Sequence, residues 1–219
     1  MPLESTVRSR NDHAFGLIET LHYQPGAGCV MAKRHIDRMT DSARYFHRAF
    51  DRNDAAQLLS GIASDRPLRV RLFLDQQDEL TCTTHDFTPS SADSVWNVAI
   101  ANTRLDSADA ILAHKTSRRD AYERARAEFS ADDAHEVLME NERGFLCEGT
   151  ITSLFVRQGC NLVTPRLSHG LLRGVLRQEL LDNGTAVEGD LMRDDLVGAE
   201  IFVGNSLRGL IRARMIESQ

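Results

Sequence analysis

The sequence predicts an α+β fold of two subdomains, residues 1–104 and 105–219, facing each other across a cleft. Strand-like runs alternate with helical periodicity over short connections, and one irregular stretch, TRLDSADAILAHKTSRR, divides the chain near its middle. No internal repeat or low-complexity tract appears.

The elements follow in order. GLIETLHY (16–23) has the composition of a strand, and QPGAG supplies the turn after it. From Arg34 to Phe50, apolar Ile36, Met39, Ala43, Phe46 and Phe50 recur at helical spacing, and a second helix is expected over about 52–63. LRVRLFL (68–74), ELTCTTHDF (79–87) and SVWNVAIAN (94–102) are strand candidates that complete the first subdomain. Beyond the irregular stretch, Arg118 to Phe129 predicts a helix. HEVLMEN-ERG-FLCEG predicts a hairpin, and TSLFVRQGCNLVTP a second one turning at Gln158-Gly159. A helix from about Gly174 to Leu181, a short AVEGDLM strand, a DDLVGA helical turn and a closing strand pair in EIFVGNSLRGLIRARMI finish the chain.

Composition narrows the function. A net charge of -6 argues against nucleic acid as the main partner, since such binding needs a basic face. No apolar run reaches roughly 18 residues, and MPLESTVRSRNDHAF lacks the pattern of a secretory leader, so a cytoplasmic protein is expected. Cys29, Cys82, Cys147 and Cys160 lie far apart with no CxxC pair, which predicts mostly packed reduced thiols and no metal site. Of 26 basic side chains all but two are arginine, the exceptions being Lys33 and Lys115. A codon bias explains the skew, but not why two positions keep lysine. Chemistry that needs a primary amine, such as a Schiff base, cannot use guanidinium.

Four segments could carry that chemistry. AHKTSRRDAY places Lys115 before a helix with Arg118 and Arg119 close behind, and their positive potential favours a neutral, nucleophilic amine. A solvated basic cluster is the plainer alternative. In FLCEGTITSLFV, Glu148 is flanked by apolar residues on a strand, where it could face a cleft and pair with a ligand nitrogen or simply lie exposed on a hairpin. Gly170 and Gly174 precede a helix whose first amides lack intrahelical partners, an arrangement suited to an anion. Gly204, Asn205 and Ser206 follow a strand and offer amide and hydroxyl donors, or form a plain turn.

Six segments in this order, FGLIETLHY, RHIDRMTDSARYF, HKTSRRDAY, NERGFLCEGTITSLFV, TPRLSHGLLRGVLRQELL and IFVGNSLRGLI, resemble the class IV aminotransferase family, the fold-type IV pyridoxal phosphate enzymes. Within it they are most similar to the aminodeoxychorismate lyase branch, in particular the lyase module fused to aminodeoxychorismate synthase. The resemblance implies pyridoxal 5'-phosphate bound in the interdomain cleft. Lys115 then matches the lysine that carries the cofactor and Glu148 the acid that faces its ring nitrogen. Arg38, the amides of Val175 and Leu176 after Gly174, and the Ser206 hydroxyl match the phosphate site. Lys33 has no counterpart role and returns to the surface. Arg71, Arg119 and Arg208 are candidates for the substrate carboxylates, since guanidinium binds carboxylate bidentately.

The activity so implied is release of pyruvate and 4-aminobenzoate from 4-amino-4-deoxychorismate, a folate-precursor step, by a homodimer with a synthase subunit as a possible partner. An aminotransferase acting on D-amino or branched-chain amino acids uses the same lysine and is the second reading. A catalytically silent protein on this fold is the third. Three departures stand out: Ser153 where many relatives carry Asn, Arg173 where lyase modules often carry Pro, and an N-terminus without the first strand of stand-alone members.

Overall fold

The computed structural model describes residues 15–91 and 93–216, so the readings made on residues 1–14 lie outside it. Four strands and two helices come first: β1 (Leu17–Gln24), β2 (Gly28–Cys29), α1 (Ala32–Tyr45), α2 (Arg52–Ser60), β3 (Leu68–Leu74) and β4 (Leu80–Asp86). The strands form one sheet in the order β2-β1-β3-β4. Side chains alternate between its faces. Leu17, Leu21 and Tyr23 of β1 and Val70, Leu72 and Leu74 of β3 pack with Ile36, Met39 and Ala43 of α1 in one core. The register sets Thr20 opposite Arg71 and His22 opposite Arg69, on the other face. Helix α1 ends short of Phe50 because His47 takes a left-handed conformation (φ 53). The reversal keeps Phe46 in the core and lets Arg48 reach the carbonyl of Phe15 and the carboxylate of Asp78.

The remaining elements are β5 (Val95–Leu105), α3 (Asp120–Ala127), β6 (Glu136–Asn141), β7 (Leu146–Gly149), β8 (Ser153–Gln158), β9 (Asn161–Pro165), α4 (Val175–Asp182), β10 (Ala186–Gly189), β11 (Ile201–Asn205) and β12 (Gly209–Met215). Their strands run β10-β9-β8-β11-β12-β5-β6-β7, and β7 also pairs with β8. Six strands therefore close on themselves as a barrel, with β9 and β10 extending from β8. Val98, Leu138, Leu146, Leu154 and Val203 fill one core, and Ala99, Val137, Met139 and Cys147 pack in another with Ala125 of α3.

The expected α+β organisation is present, with two corrections. The strand over 94–102 was placed in the first subdomain, with a boundary at 104. Instead β5 pairs in parallel with both β6 and β12, so the chain changes sheet between Asp86 and Val95. The cause is that Val98, Ala99 and Ala101 are buried against the barrel strands rather than against α1. The stretch expected to be an irregular linker is also partly regular. Thr103 to Leu105 belong to β5, and the backbone around Lys115 pairs with β1: Ile18 N–H donates to the Lys115 carbonyl at 2.8 Å and Ser117 N–H to that of Gly16 at 2.9 Å.

Among the described residues no helix is long and apolar enough to cross a membrane. The four cysteines are free thiols, with Cys147 buried and Cys160 exposed.

Candidate active site

A cavity of about 850 Å³ lies between the two sheets, and the ten residues that the resemblance assigns to cofactor and substrate line it, whereas Gly170 and Gly204 do not. That volume is in the range of small-molecule sites, roughly 300–1,000 Å³. Lys33, by contrast, is 85% exposed at its side chain and pairs with Asp37 at 2.8 Å.

Lys115 is held by its backbone. Its carbonyl is tied to β1, which sets the side chain at the junction of the two sheets. No side chain among the described residues hydrogen-bonds its amine. Burial lowers its pKa to about 8, helped by the charges of Arg38 and Arg119 and opposed by Glu19 and Glu148. Arg118, expected to contribute, is paired with Asp109 and is not among the leading influences on the amine. Arg38, far away in sequence, takes its place. An amine with a pKa near 8 is partly neutral at physiological pH, which a nucleophile and proton carrier requires.

Arg38 projects from α1 and is fixed on three sides. Its Nε and Nη2 donate to the Glu19 carboxylate at 2.8 and 2.6 Å, and Nη1 donates to the Arg173 carbonyl at 3.1 Å. Glu19 is buried and also meets His35 Nδ1 at 2.6 Å. Burial raises the Glu19 pKa, but Arg38 and His35 outweigh it and hold the carboxyl at about 2. The Arg173 contact uses the backbone, so a proline there could make it too. Helix α4 points its first turn into the same cavity, with Gly174 as its first flanking residue. The amides of Val175 and Leu176 open that turn and have no intrahelical acceptor. Arg34 ties α1 to α4 through Glu179 (2.6 Å) and Asp182 (2.7 Å), which sets Arg38 beside the helix N-terminus. Ser206 lines the same cavity, and the turn carrying it is pinned by Asn205, whose side chain accepts from Leu207 and Arg208 N–H.

Glu148 is a buried acid on β7. One carboxylate oxygen accepts from the Tyr122 hydroxyl at 2.7 Å and from Leu172 N–H at 3.0 Å. The other has no partner among the described residues. Burial raises the pKa of Glu148, against the pull of those two donors and of Lys115 and Arg119. Ser153 is its register partner on β8 but does not bond its side chain, so among the described residues the acid is supported by Tyr122 and Leu172.

Sequence reasoning missed four contributors. Glu19 and His35 anchor Arg38, and their signal was an acid inside an apolar strand with a His three residues before the arginine. Tyr122, stacked under Arg119 at 4.8 Å, orients Glu148. Glu136 is fully buried on β6 and accepts five hydrogen bonds, from the amides of Val137, Thr150 and Ile151 and the hydroxyls of Thr150 and Thr152. It thereby fixes the turn after Glu148, whose Thr150 carbonyl receives Arg119 and whose Ile151 carbonyl receives Asn205.

A buried amine, a buried acid, and an arginine beside a helix N-terminus thus share one cavity between a closed barrel and a second sheet. The chain belongs to the family described as amino-transferase class IV, whose profile matches residues 16–216. It is 35% identical over 136 residues to aminodeoxychorismate lyase of Saccharomyces cerevisiae, covering 53% of this chain but 36% of that protein. The chain therefore spans well under two thirds of that relative. A Mesorhizobium loti crystal structure named "Putative amino-acid aminotransferase" is 46% identical, with a TM-score of 0.89 over 92% of this chain and 100% of the other. The Pseudomonas aeruginosa 4-amino-4-deoxychorismate lyase has the same fold, with 23% identity and a TM-score of 0.79 over 100% and 90% of the two chains.

Proposed function

We propose that this protein binds pyridoxal 5'-phosphate and acts as a 4-amino-4-deoxychorismate lyase, forming 4-aminobenzoate and pyruvate. The observation that carries the cofactor reading is the donor set of one cavity. Lys115 offers a primary amine for an aldehyde. Arg38 and the α4 amides offer a cradle for a phosphate. Glu148 keeps one oxygen free to receive an N–H. When bound, the cofactor draws electrons from the substrate carbon that bears the amino group.

The residues supply the rest. Glu148 would hold a proton on the ring nitrogen of the bound cofactor, with Tyr122 and Leu172 keeping the acid in place. Lys115, no longer occupied with the cofactor, takes the proton from the substrate carbon and delivers it to the departing enolpyruvyl methylene. The C–O bond to the ring breaks with its electron pair leaving on oxygen, and the ring becomes aromatic. The conversion is redox-neutral and consumes no water: the hydrogen lost from the ring carbon ends in the methyl group of pyruvate. Similarity to the yeast lyase supports this substrate. Similarity to the Mesorhizobium protein supports a second reading, amino-group transfer, in which Lys115 would again be the residue that carries the proton from the substrate carbon. On the same resemblance we infer a cytoplasmic homodimer that can work with an aminodeoxychorismate synthase subunit.

The decisive experiment gives the cofactor-loaded protein aminodeoxychorismate with no keto acid. Many turnovers of 4-aminobenzoate and pyruvate are expected. Stoichiometric conversion of bound cofactor to pyridoxamine phosphate by an amino acid, with aminodeoxychorismate untouched, would replace the lyase with a transaminase.

A further inference from the structure

The arginines of the cavity fall into two groups. Arg38, Arg104 and Arg118 each carry a carboxylate partner, Glu19, Glu140 and Asp109. Arg69, Arg71, Arg119, Arg124 and Arg208 have none among the described residues; of these, Arg119 donates to the Thr150 carbonyl and Arg71 stands over the Phe73 ring. Arg69 lies on β3 directly opposite His85 of β4, so the two side chains share the face that looks into the cavity. Arg208 reaches the same place from the turn between β11 and β12. Its guanidinium stands 5.8 Å from the ring centroids of both Phe87 and Trp96.

Burial lowers the pKa of Arg208, and the charge of Arg69 lowers it further. The acid that acts on it from the protein, Glu136, already accepts five hydrogen bonds elsewhere. In a chain whose net charge is -6, two guanidiniums and an imidazole thus converge on a concave surface without a carboxylate to meet them. Guanidinium beside aromatic rings is positioned and partly dehydrated, which strengthens its bond to an incoming anion.

We propose that Arg69, His85 and Arg208 form a carboxylate subsite, distinct from the cradle of Arg38 and α4, that selects substrates carrying a second carboxylate. The proposal rests on the reading that this cavity holds the reacting amine, with Arg119 beside Lys115 left for the first carboxylate. A substrate with a single carboxylate leaves the subsite empty. A ring bearing one carboxylate directly and another on a side arm fills both.

The test uses cofactor-loaded protein and two probes, benzoate and isophthalate, titrated calorimetrically at fixed ionic strength. Isophthalate is expected to bind about tenfold tighter than benzoate, the gain of one charge-assisted contact. Arg69→Gln and Arg208→Gln should each erase most of that preference while leaving the affinities for benzoate and for pyridoxal phosphate in place. The thermal midpoint of Arg69→Gln should be no lower than the parent's, since the substitution relieves repulsion rather than breaking an ion pair. Equal affinities of the parent for the two probes overturn the proposal, and so does a loss of cofactor affinity or of thermal stability in the variants. The reaction itself is scored separately by 4-aminobenzoate formation. Isophthalate preference without 4-aminobenzoate keeps the subsite and discards the lyase; 4-aminobenzoate without the preference does the reverse.

Discussion

Two buried carboxylates flank Lys115, and they are held in opposite ways. Glu19, under the arginine arm, is met by Arg38 and His35 and stays ionised down to a pKa of about 2. Glu148, at the end of β7, is met by a phenol and one amide, and burial pushes its pKa up. Both act on the amine between them by raising its pKa. The difference separates two roles. Glu19 has its cation, Arg38, built into the protein and serves to fix it, with His35 as a further hydrogen-bond partner. Glu148 lacks a cation bonded to it, and its free oxygen suits one that arrives with a ligand. A folded protein keeps an acid in the second condition at a cost to stability, as buried charge without a counterion is unfavourable.

The contrast breaks most severely at the amine both acids share. Lys115→Ala or Lys115→Arg should remove nearly all turnover and the visible absorbance that appears on adding pyridoxal phosphate, while Lys33→Arg leaves both intact. Borohydride reduction and peptide mapping check it: cofactor on Lys33, or on no lysine, would overturn the site. Glu19→Gln comes next. It leaves Arg38 without its counterion, and removing one partner of a buried pair costs about 3 kcal/mol or more. Urea unfolding of the apo protein measures this, and an unchanged midpoint would show that Glu19 is not the anchor. Arg38→Ala should weaken cofactor binding by about 1.5–3 kcal/mol, the worth of a charge-assisted contact. Equal dissociation constants for variant and parent at one salt concentration would count against the cradle.

Much of this was legible in the sequence, for identifiable reasons. Lys115 stood out because arginine fills almost every other basic position, and strands 68–74 and 153–158 followed from alternation and turn residues. What stayed hidden were the partners. Glu19 reaches Arg38 across 19 positions, Tyr122 reaches Glu148 across 26, and Glu136 serves a turn 14 to 16 residues away. Local pattern can mark an acid inside an apolar strand, as at Glu19, but not which distant side chain it will meet until the sheets are assembled. The misplacement of β5 has the same origin. An apolar strand announces that it will be buried, but not which sheet will bury it; here parallel partners on both sides, β6 and β12, come later in the chain.

The smallest expected effect is the sharpest test of the comparison, because it concerns sign. Glu148→Gln should slow turnover by about 10²–10³-fold through loss of the electrostatic hold on the ring, yet it should not destabilise the apo protein at neutral pH. The folded pKa of Glu148 lies above its unfolded value, so its ionised form penalises the folded state. That penalty is full above the folded pKa and fades as pH falls through it toward the unfolded value near 4.5. The Gln variant is therefore expected to equal or exceed the parent in stability at pH 7, with the advantage vanishing below about pH 4.5. Glu19 has the reverse sign. Its contribution is complete above about pH 4.5 and is lost toward pH 2, in parent and variant alike. Each group can change stability by at most about 1.4 kcal/mol per unit of pH within its window, so denaturant midpoints measured from pH 2 to 8 at constant ionic strength resolve both. If Glu148→Gln instead lowers stability at pH 7, the acid is a structural member of the barrel with its partners already in place, and the assignment of its free oxygen to a ligand fails.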